Sequence, residues 1–120
     1  MKKTLVIGAS LKPERYSYMA IKRLVEKSIE TQAFGVKEGL VFGVPIKTNF
    51  KDFYDIHTVT LYLNPKRQVA YYKQIIGLHP KRIIFNPGTE NPEFYTLLKD
   101  KGIQVEIACT LVLLATNQYG

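Results

Sequence analysis

Short apolar runs alternate along the chain with longer stretches whose apolar residues recur at helical spacing, the pattern of repeated strand and helix units around a parallel sheet. The spacing predicts a first strand over Thr4 to Ile7 and a first helix over Tyr16 to Lys27, with Tyr16, Ala20 and Leu24 on one inward stripe and Met19 and Val25 beside it. A strand near Thr31 to Val36 follows, then a Gly-rich passage from Gly35 to Pro45 with a small strand around Val41 to Ile46. His57 to Leu63 alternates branched and aromatic residues and stops at Asn64-Pro65, as a central strand would. A helix is expected over Lys66 to Ile76 with Val69 and Ile76 inward, and a strand over Arg82 to Phe85 closed by Asn86-Pro87-Gly88-Thr89. A helix from Asn91 or Pro92 places Phe94, Leu97 and Leu98 against the sheet; Ile103 to Ile107 is the last strand and Leu111 to Asn117 a final helix.

Right-handed crossovers arrange such units as an α/β, Rossmann-like, doubly wound parallel sheet in three layers, with strand order about 3-2-1-4-5-6 and a stunted third strand. Ligands bind such sheets outside the carboxyl ends of the strands. The informative loops are therefore Gly8 to Arg15, Val36 to Gly39, Asn64 to Arg67 and Asn86 to Asn91.

A length of 120 residues, 46% apolar and 22% charged, predicts one globular domain over residues 1–120. No apolar run approaches the roughly 20 residues that cross a bilayer, and Met1-Lys2-Lys3 leads straight into a strand, so the expectation is a cytoplasmic protein without a membrane partner. The lone cysteine, Cys109, offers neither an internal disulfide nor a metal cluster. A formal charge of +7 favours anionic partners. These include nucleic acid, an acidic lipid surface and a phosphorylated small molecule, and charge alone does not choose; the cations are scattered, with no basic tail or recognised DNA-binding pattern, so a solvated basic surface accounts for most of them.

The junction after the first strand carries the sharpest chemistry. Leu5-Val6-Ile7 ends in Gly8-Ala9-Ser10, small residues that let an anion approach backbone N–H groups at the start of a helix, and Ser10 adds a hydroxyl. Against the dinucleotide fingerprint G-x-G-x-x-G only Gly8 fits, with Ser10 and Pro13 in place of the later glycines, so a tight turn without a ligand is the competing reading. NAD enzymes present a carboxylate after the second strand to the ribose hydroxyls. Here Val36-Lys37 stand there, with Glu38 adjacent, and a cation suits a ribose that bears an extra phosphate, as in NADP or coenzyme A.

Taken together, Val6-Ile7-Gly8-Ala9-Ser10 with Pro13 and Tyr18, Gly43-Val44-Pro45, Ile84-Phe85-Asn86-Pro87-Gly88-Thr89-Glu90-Asn91, and Gly102-Ile103 leading to Cys109 resemble the stand-alone CoA-binding domains. These are similar to the nucleotide-binding domain at the start of the succinyl-CoA synthetase alpha subunit. Val36-Lys37 replaces the Asn-Pro of many members, and Asn86 replaces their glutamine. The resemblance implies that Gly8, Ala9, Ser10 and Lys12 hold the diphosphate, with Arg15 and Tyr18 on the same segment. Val36 and Lys37 would flank the adenosine and its ribose phosphate, Asn64 and Pro65 would lie along the pantetheine, and Asn86, Pro87 and Gly88 would border the far end. Cys109 would sit at the ligand edge, within reach of a pantetheine thiol, although a lone cysteine among Ile107, Ala108 and Leu111 also reads as a small buried hydrophobe.

No catalytic constellation is evident. His57 and His79 fall on connections opposite the binding edge, Glu38, Asp52 and Asp55 do not pair as acid and base, and Tyr62, Tyr71, Tyr72 and Tyr95 read as packing. The expected function is thus a binding module for coenzyme A or an acyl-CoA, with an NADP-binding oxidoreductase-like protein as the alternative. A homo-oligomer or a partner enzyme is compatible with either reading.

Overall fold

The computed structural model describes residues 2–120. Seven strands form one sheet in the order β3-β4-β2-β1-β5-β6-β7. They are β1 (Thr4–Ile7), β2 (Thr31–Phe34), β3 (Gly39–Val41), β4 (Val44–Lys47), β5 (Thr58–Leu61), β6 (Arg82–Phe85) and β7 (Gln104–Ile107). All adjacent pairs run parallel except β3 with β4. The expected Rossmann-like order is therefore present, with β4 in the place of the third strand; at four residues it is as long as β2 beside it and not stunted. The expected single strand over Val41 to Ile46 is instead a hairpin. Phe42 (φ 49°) and Gly43 (φ 80°) both take left-handed backbone, the requirement of a two-residue turn matched to strand twist, and fold β3 back on β4.

Helices cover both faces. On one side α1 (Tyr16–Glu26) and α5 (Thr110–Ala115) bury Ile21, Leu24 and Leu114 against Val6, Ala33, Ile46 and Ile84. On the other, α2 (Pro65–Gln68), a 3-10 turn at Val69–Tyr71, α3 (Tyr72–Gly77) and α4 (Pro92–Asp100) flank a core of Leu5, Ile7, Val59, Leu61, Ile83 and Phe85, into which Ile75, Phe94 and Leu98 insert. Successive residues of β1, β5 and β6 go to opposite faces and all are buried, which is why these strands read as continuous apolar runs rather than alternating ones. The two exceptions in β5, Thr58 and Thr60, are buried with partners. Thr60 Oγ1 meets Thr110 Oγ1 of α5 at 2.7 Å, and Thr58 Oγ1 accepts from Arg82 Nε at 2.9 Å.

Two helical phases differ from expectation. The buried face of α1 is Ser17, Ala20, Ile21 and Leu24, while Tyr16 is 70% exposed. Residues four apart drift by roughly 40° on a helix of 3.6 residues per turn, so a 16, 20, 24 row leaves the packed face at its first member. In the second helical stretch Val69 faces solvent and Ile75 is buried, because the inward position before the 3-10 turn is taken by Gln68. Leu97 is 38% exposed, leaving the fully buried Phe94 and Leu98 as the anchors of α4.

Two glycines separate steric need from convenience. A Cβ on Gly35 would lie 2.5 Å from the Ala9 carbonyl oxygen, whereas one on Gly77, the last residue of α3, would meet nothing within 4 Å. Gly35→Ala is expected to cost about 1–3 kcal/mol by forcing backbone apart. Gly77→Ala should stabilise by about 0.5–1 kcal/mol through helix propensity. Urea unfolding of the two variants beside the parent checks both signs.

Candidate functional site

The carboxyl ends of β1, β2, β5 and β6 surround a cleft of about 480 Å³, within the range of small-molecule sites. Its walls come from the β1–α1 turn (Gly8, Ala9, Ser10, Lys12, Arg15, Tyr16, Ser17), the end of β2 (Phe34, Gly35, Val36), the β5–α2 turn (Tyr62, Leu63, Asn64, Arg67), Tyr71, and the loop after β6 (Pro87, Gly88, Thr89). A second hollow of about 310 Å³ shares Phe34, Gly35, Val36 and Tyr71 with the first and continues toward Thr48, Asn49 and Gln74. The two together make an extended groove across the sheet edge.

The floor of the groove is set by one carbonyl. Phe34 O accepts from both Gly8 N–H at 3.0 Å and Ala9 N–H at 2.9 Å, which draws the first turn onto the end of β2. Gly8 adopts φ 92° and has no room for a side chain, its Cβ position lying 3.0 Å from Tyr62 backbone. The Gly8 and Ala9 amides are thus occupied, and the backbone donors left for an anion lie further along. Among the described residues, the N–H groups of Ser10, Tyr16 and Ser17, all lining the cleft, have no protein acceptor. Ser10 Oγ accepts from Lys12 N–H at 3.1 Å and shapes the bend before Pro13.

The start of α1, like those of α3 and α5, carries no side-chain cap and no acidic residue in its first turn, but it alone opens onto the cleft with cations beside it. Asn49, Asn64 and Asn91 each cap a helical segment by accepting a backbone N–H, from Lys51, Arg67 and Phe94. Helix α1 has Arg15 at its N-cap, no side-chain cap and no acidic residue in its first turn. The positive end of its dipole therefore faces Lys12, Arg15 and, across the cleft, Arg67, and no carboxylate lines the cavity. The ion pairs among the described residues, Lys3–Glu30, Arg23–Glu26 and Arg82–Glu106, involve none of these three. Such a site is suited to a polyanion.

Of the residues singled out from sequence, Gly8, Ala9, Ser10, Lys12, Arg15, Val36, Asn64, Pro87 and Gly88 meet around the cleft. The lining does not include Tyr18, Lys37, Pro65, Asn86 or Cys109. Tyr18 stacks edge-on against Phe42 at 5.2 Å, and Lys37 is exposed one residue beyond Val36. Pro65 occupies the first turn of α2. Asn86 is buried beneath the loop it begins, donating to Thr60 Oγ1 and Leu61 O and accepting from Thr110 N–H, so all its polar atoms serve the frame. Cys109 is half-buried at the N-cap of α5, after β7.

Sequence reasoning missed Tyr16, Ser17, Phe34, Gly35, Tyr62, Leu63, Arg67, Tyr71 and Thr89. Arg67 was legible as a cation in the Asn64 to Arg67 loop; the aromatic residues carried no signal distinguishing lining from packing. Burial pushes the Tyr62 phenol up to about 12, so it stays protonated. The described residues hold no group of three or more potential metal ligands and no helix long and apolar enough to cross a membrane.

A family model described as a CoA binding domain matches residues 2–115, and the chain belongs to that family. No curated protein matches it. A crystal structure of an uncharacterized protein is similar at 44% identity, with 98% of each chain covered and a TM-score of 0.94. A hypothetical protein from Pyrococcus horikoshii OT3 is similar at 28% identity, covering 99% of this chain and 84% of its own, with a TM-score of 0.86. The cell-free ID.343 structure from Thermus thermophilus, at 21% identity, 98% and 90% coverage and a TM-score of 0.87, shares the fold. Membership supports coenzyme A binding at the level of the family.

The histidines lie away from the cleft lining. His57 precedes β5, where burial, followed by the charges of Lys2, Arg82 and Lys81, lowers its pKa. Thr58 Oγ1, 2.8 Å from His57 Nδ1, accepts from Arg82 and so has its own hydrogen to donate to the neutral imidazole. A pKa lowered on folding means that the unfolded chain takes up the proton first, so this contribution to stability is complete above about 6.5 and is lost as pH falls through the folded value. Thermal denaturation of His57→Gln should show a flatter acid limb than the parent, with ligand affinity unmoved.

Proposed function

We propose that the chain binds coenzyme A or an acyl-CoA along this groove and has no turnover of its own. The observation that carries the reading is the unpaired positive charge of Lys12, Arg15 and Arg67 around the uncapped start of α1, in a cleft lined by no carboxylate. Coenzyme A brings a diphosphate and a 3′-phosphate, and the two adjoining hollows give it length as well as charge. On this reading Ser10, Lys12, Arg15 and the first amides of α1 hold the diphosphate, while Gly8 and Ala9 contribute space. Val36 and Lys37 flank the adenosine and ribose phosphate, Asn64 and Pro65 lie along the pantetheine, and Pro87 and Gly88, braced by Asn86, border the thiol end. The absence of histidine, cysteine, aspartate and glutamate from the lining supports a binding role, since acyl transfer needs a nucleophile with a base in reach.

Thermal shift with coenzyme A tests this. At 100 times its dissociation constant the ligand should add about 2.7 kcal/mol to stability. A shift with NADP and none with coenzyme A would instead favour the oxidoreductase-like alternative. Tight binding to nucleic acid that free coenzyme A does not compete would also oppose the proposal.

Arg67→Ala should weaken coenzyme A by about tenfold or more, the loss of one charge-assisted contact, and the loss should shrink as salt rises. Lys37→Glu should weaken coenzyme A more than dephospho-CoA in calorimetric titration. Equal losses would show that Lys37 does not read the 3′-phosphate.

A further inference from the structure

We propose that Gln68 is a positioning residue that fixes the spacing between the two lips of the cleft, so that it governs affinity for the pantetheine arm and not for the nucleotide end. The inference rests on the coenzyme A reading above. Gln68 is fully buried at the end of α2, in a slot that helical periodicity would assign to an apolar residue. Its Nε2 donates to Leu63 O and to Thr89 O, both at 2.8 Å. Leu63 belongs to the β5 lip and Thr89 to the β6 lip, and both line the cleft. One NH₂ group thus ties the two walls together, each of its hydrogens directed at one of them.

The orientation of that amide is itself determined. Gln68 Oε1 accepts from Asn91 Nδ2 at 2.9 Å, and the other Asn91 N–H goes to Tyr72 Oη at 2.7 Å. Tyr72 in turn donates to Glu93 Oε2 at 3.0 Å, and Asn91 Oδ1 accepts from Phe94 N–H at the start of α4. A flipped Gln68 would set its oxygen against two carbonyl oxygens, so only one arrangement satisfies the chain of bonds. Each lip is also stiff on its own. Asn64 caps α2 through Arg67 N–H, and Thr89 bonds back to Asn86 O through both its hydroxyl and its N–H. Below Gln68 the strand ladder and Asn86 hold β5 to β6, and cutting the Gln68 tie frees the two loops above them to move apart. An apolar residue of the same size would fill the slot without the desolvation cost of a buried amide, so packing gives no reason for glutamine here.

Gln68→Met keeps the unbranched shape and removes both donors. Calorimetric titration of coenzyme A and of 3′,5′-ADP, which lacks the pantetheine arm, separates the roles. The expected result is a loss of about tenfold for coenzyme A with 3′,5′-ADP within about twofold of the parent. Equal losses for both ligands, or no loss for either, would overturn the inference. Failure of the parent chain to bind coenzyme A would instead overturn the ligand reading itself, a result visible before any variant is made. If circular dichroism shows Gln68→Met unfolded, Tyr72→Phe, which removes the hydroxyl beneath Asn91 at the exposed end of the same chain of bonds, is read by the same ratio. A smaller shift in the same direction supports the inference, and an unchanged ratio overturns it.

Discussion

The carbonyl oxygen of Phe34 is the point on which the ligand end of this fold depends. Two consecutive amides, Gly8 and Ala9, converge on it, and that convergence brings the first turn so close to the end of β2 that position 35 has no room for a Cβ beside the Ala9 carbonyl. Any shift of the turn away from β2 would break two hydrogen bonds in a buried region, where unmade bonds cost more than made ones contribute. The groove lies on the outer side of this junction. Its depth follows from the same close approach, since side chains at Gly8 or Gly35 would push the floor outward. The small residues of the turn therefore act first through sterics, and the amide donors available to an anion are those of Ser10 and the first residues of α1.

Charge is distributed unequally between the two ends of the sheet. At the amino ends of the strands, the buried cations are matched. Lys3 pairs with Glu30, and buried Arg82 bonds Thr58, Glu106 and the Tyr119 carbonyl while its guanidinium stacks 4.6 Å from the Tyr119 ring centroid. At the carboxyl ends Lys12, Arg15 and Arg67 surround a helix dipole of the same sign without a carboxylate. Like charges held near one another raise the free energy of the empty cleft, and an arriving polyanion relieves the repulsion as well as making its own contacts. The net charge of +7 acquires meaning only through this placement.

The strands were legible because their environment is uniform. Thr4–Ile7 and Arg82–Phe85 are buried on both faces, and the apolar runs Leu5 to Ile7 and Ile83 to Phe85 within an alternating chain fit little besides strands covered on both sides. The glycine and asparagine turns likewise announce the carboxyl edge. What stayed hidden depends on contacts between distant segments. Nothing local marks Gln68 as a core residue, since its partners Leu63, Thr89 and Asn91 assemble only when the β5 and β6 loops meet. Tyr16 reads as the start of an apolar stripe, yet the sheet takes Ser17 and leaves Tyr16 at the cleft. The Phe42-Gly43 hairpin was masked because phenylalanine is a poor sign of left-handed backbone; its ring sits against Tyr18, a contact made between the hairpin and α1.

Among the described residues, the buried amide side chains, Gln68, Asn86 and Asn91, lie beneath the cleft edge, and that location bears on what they are for. Asn86 joins β5, β6 and the start of α5, and Gln68 joins the β5 and β6 loops, so the two amides lie under the same pair of lips. Neither is needed to fill volume, since the surrounding core of Leu61, Leu63, Phe85 and Phe94 is apolar and buried. Apolar packing is non-directional and tolerates small slips between elements, whereas a fully bonded amide accepts one geometry. On the proposed reading, a groove that holds a long, flexible ligand at several points gains from walls that do not breathe, because each wall ordered in advance is freedom that binding need not remove. The bonds of these amides fall where preorganisation matters.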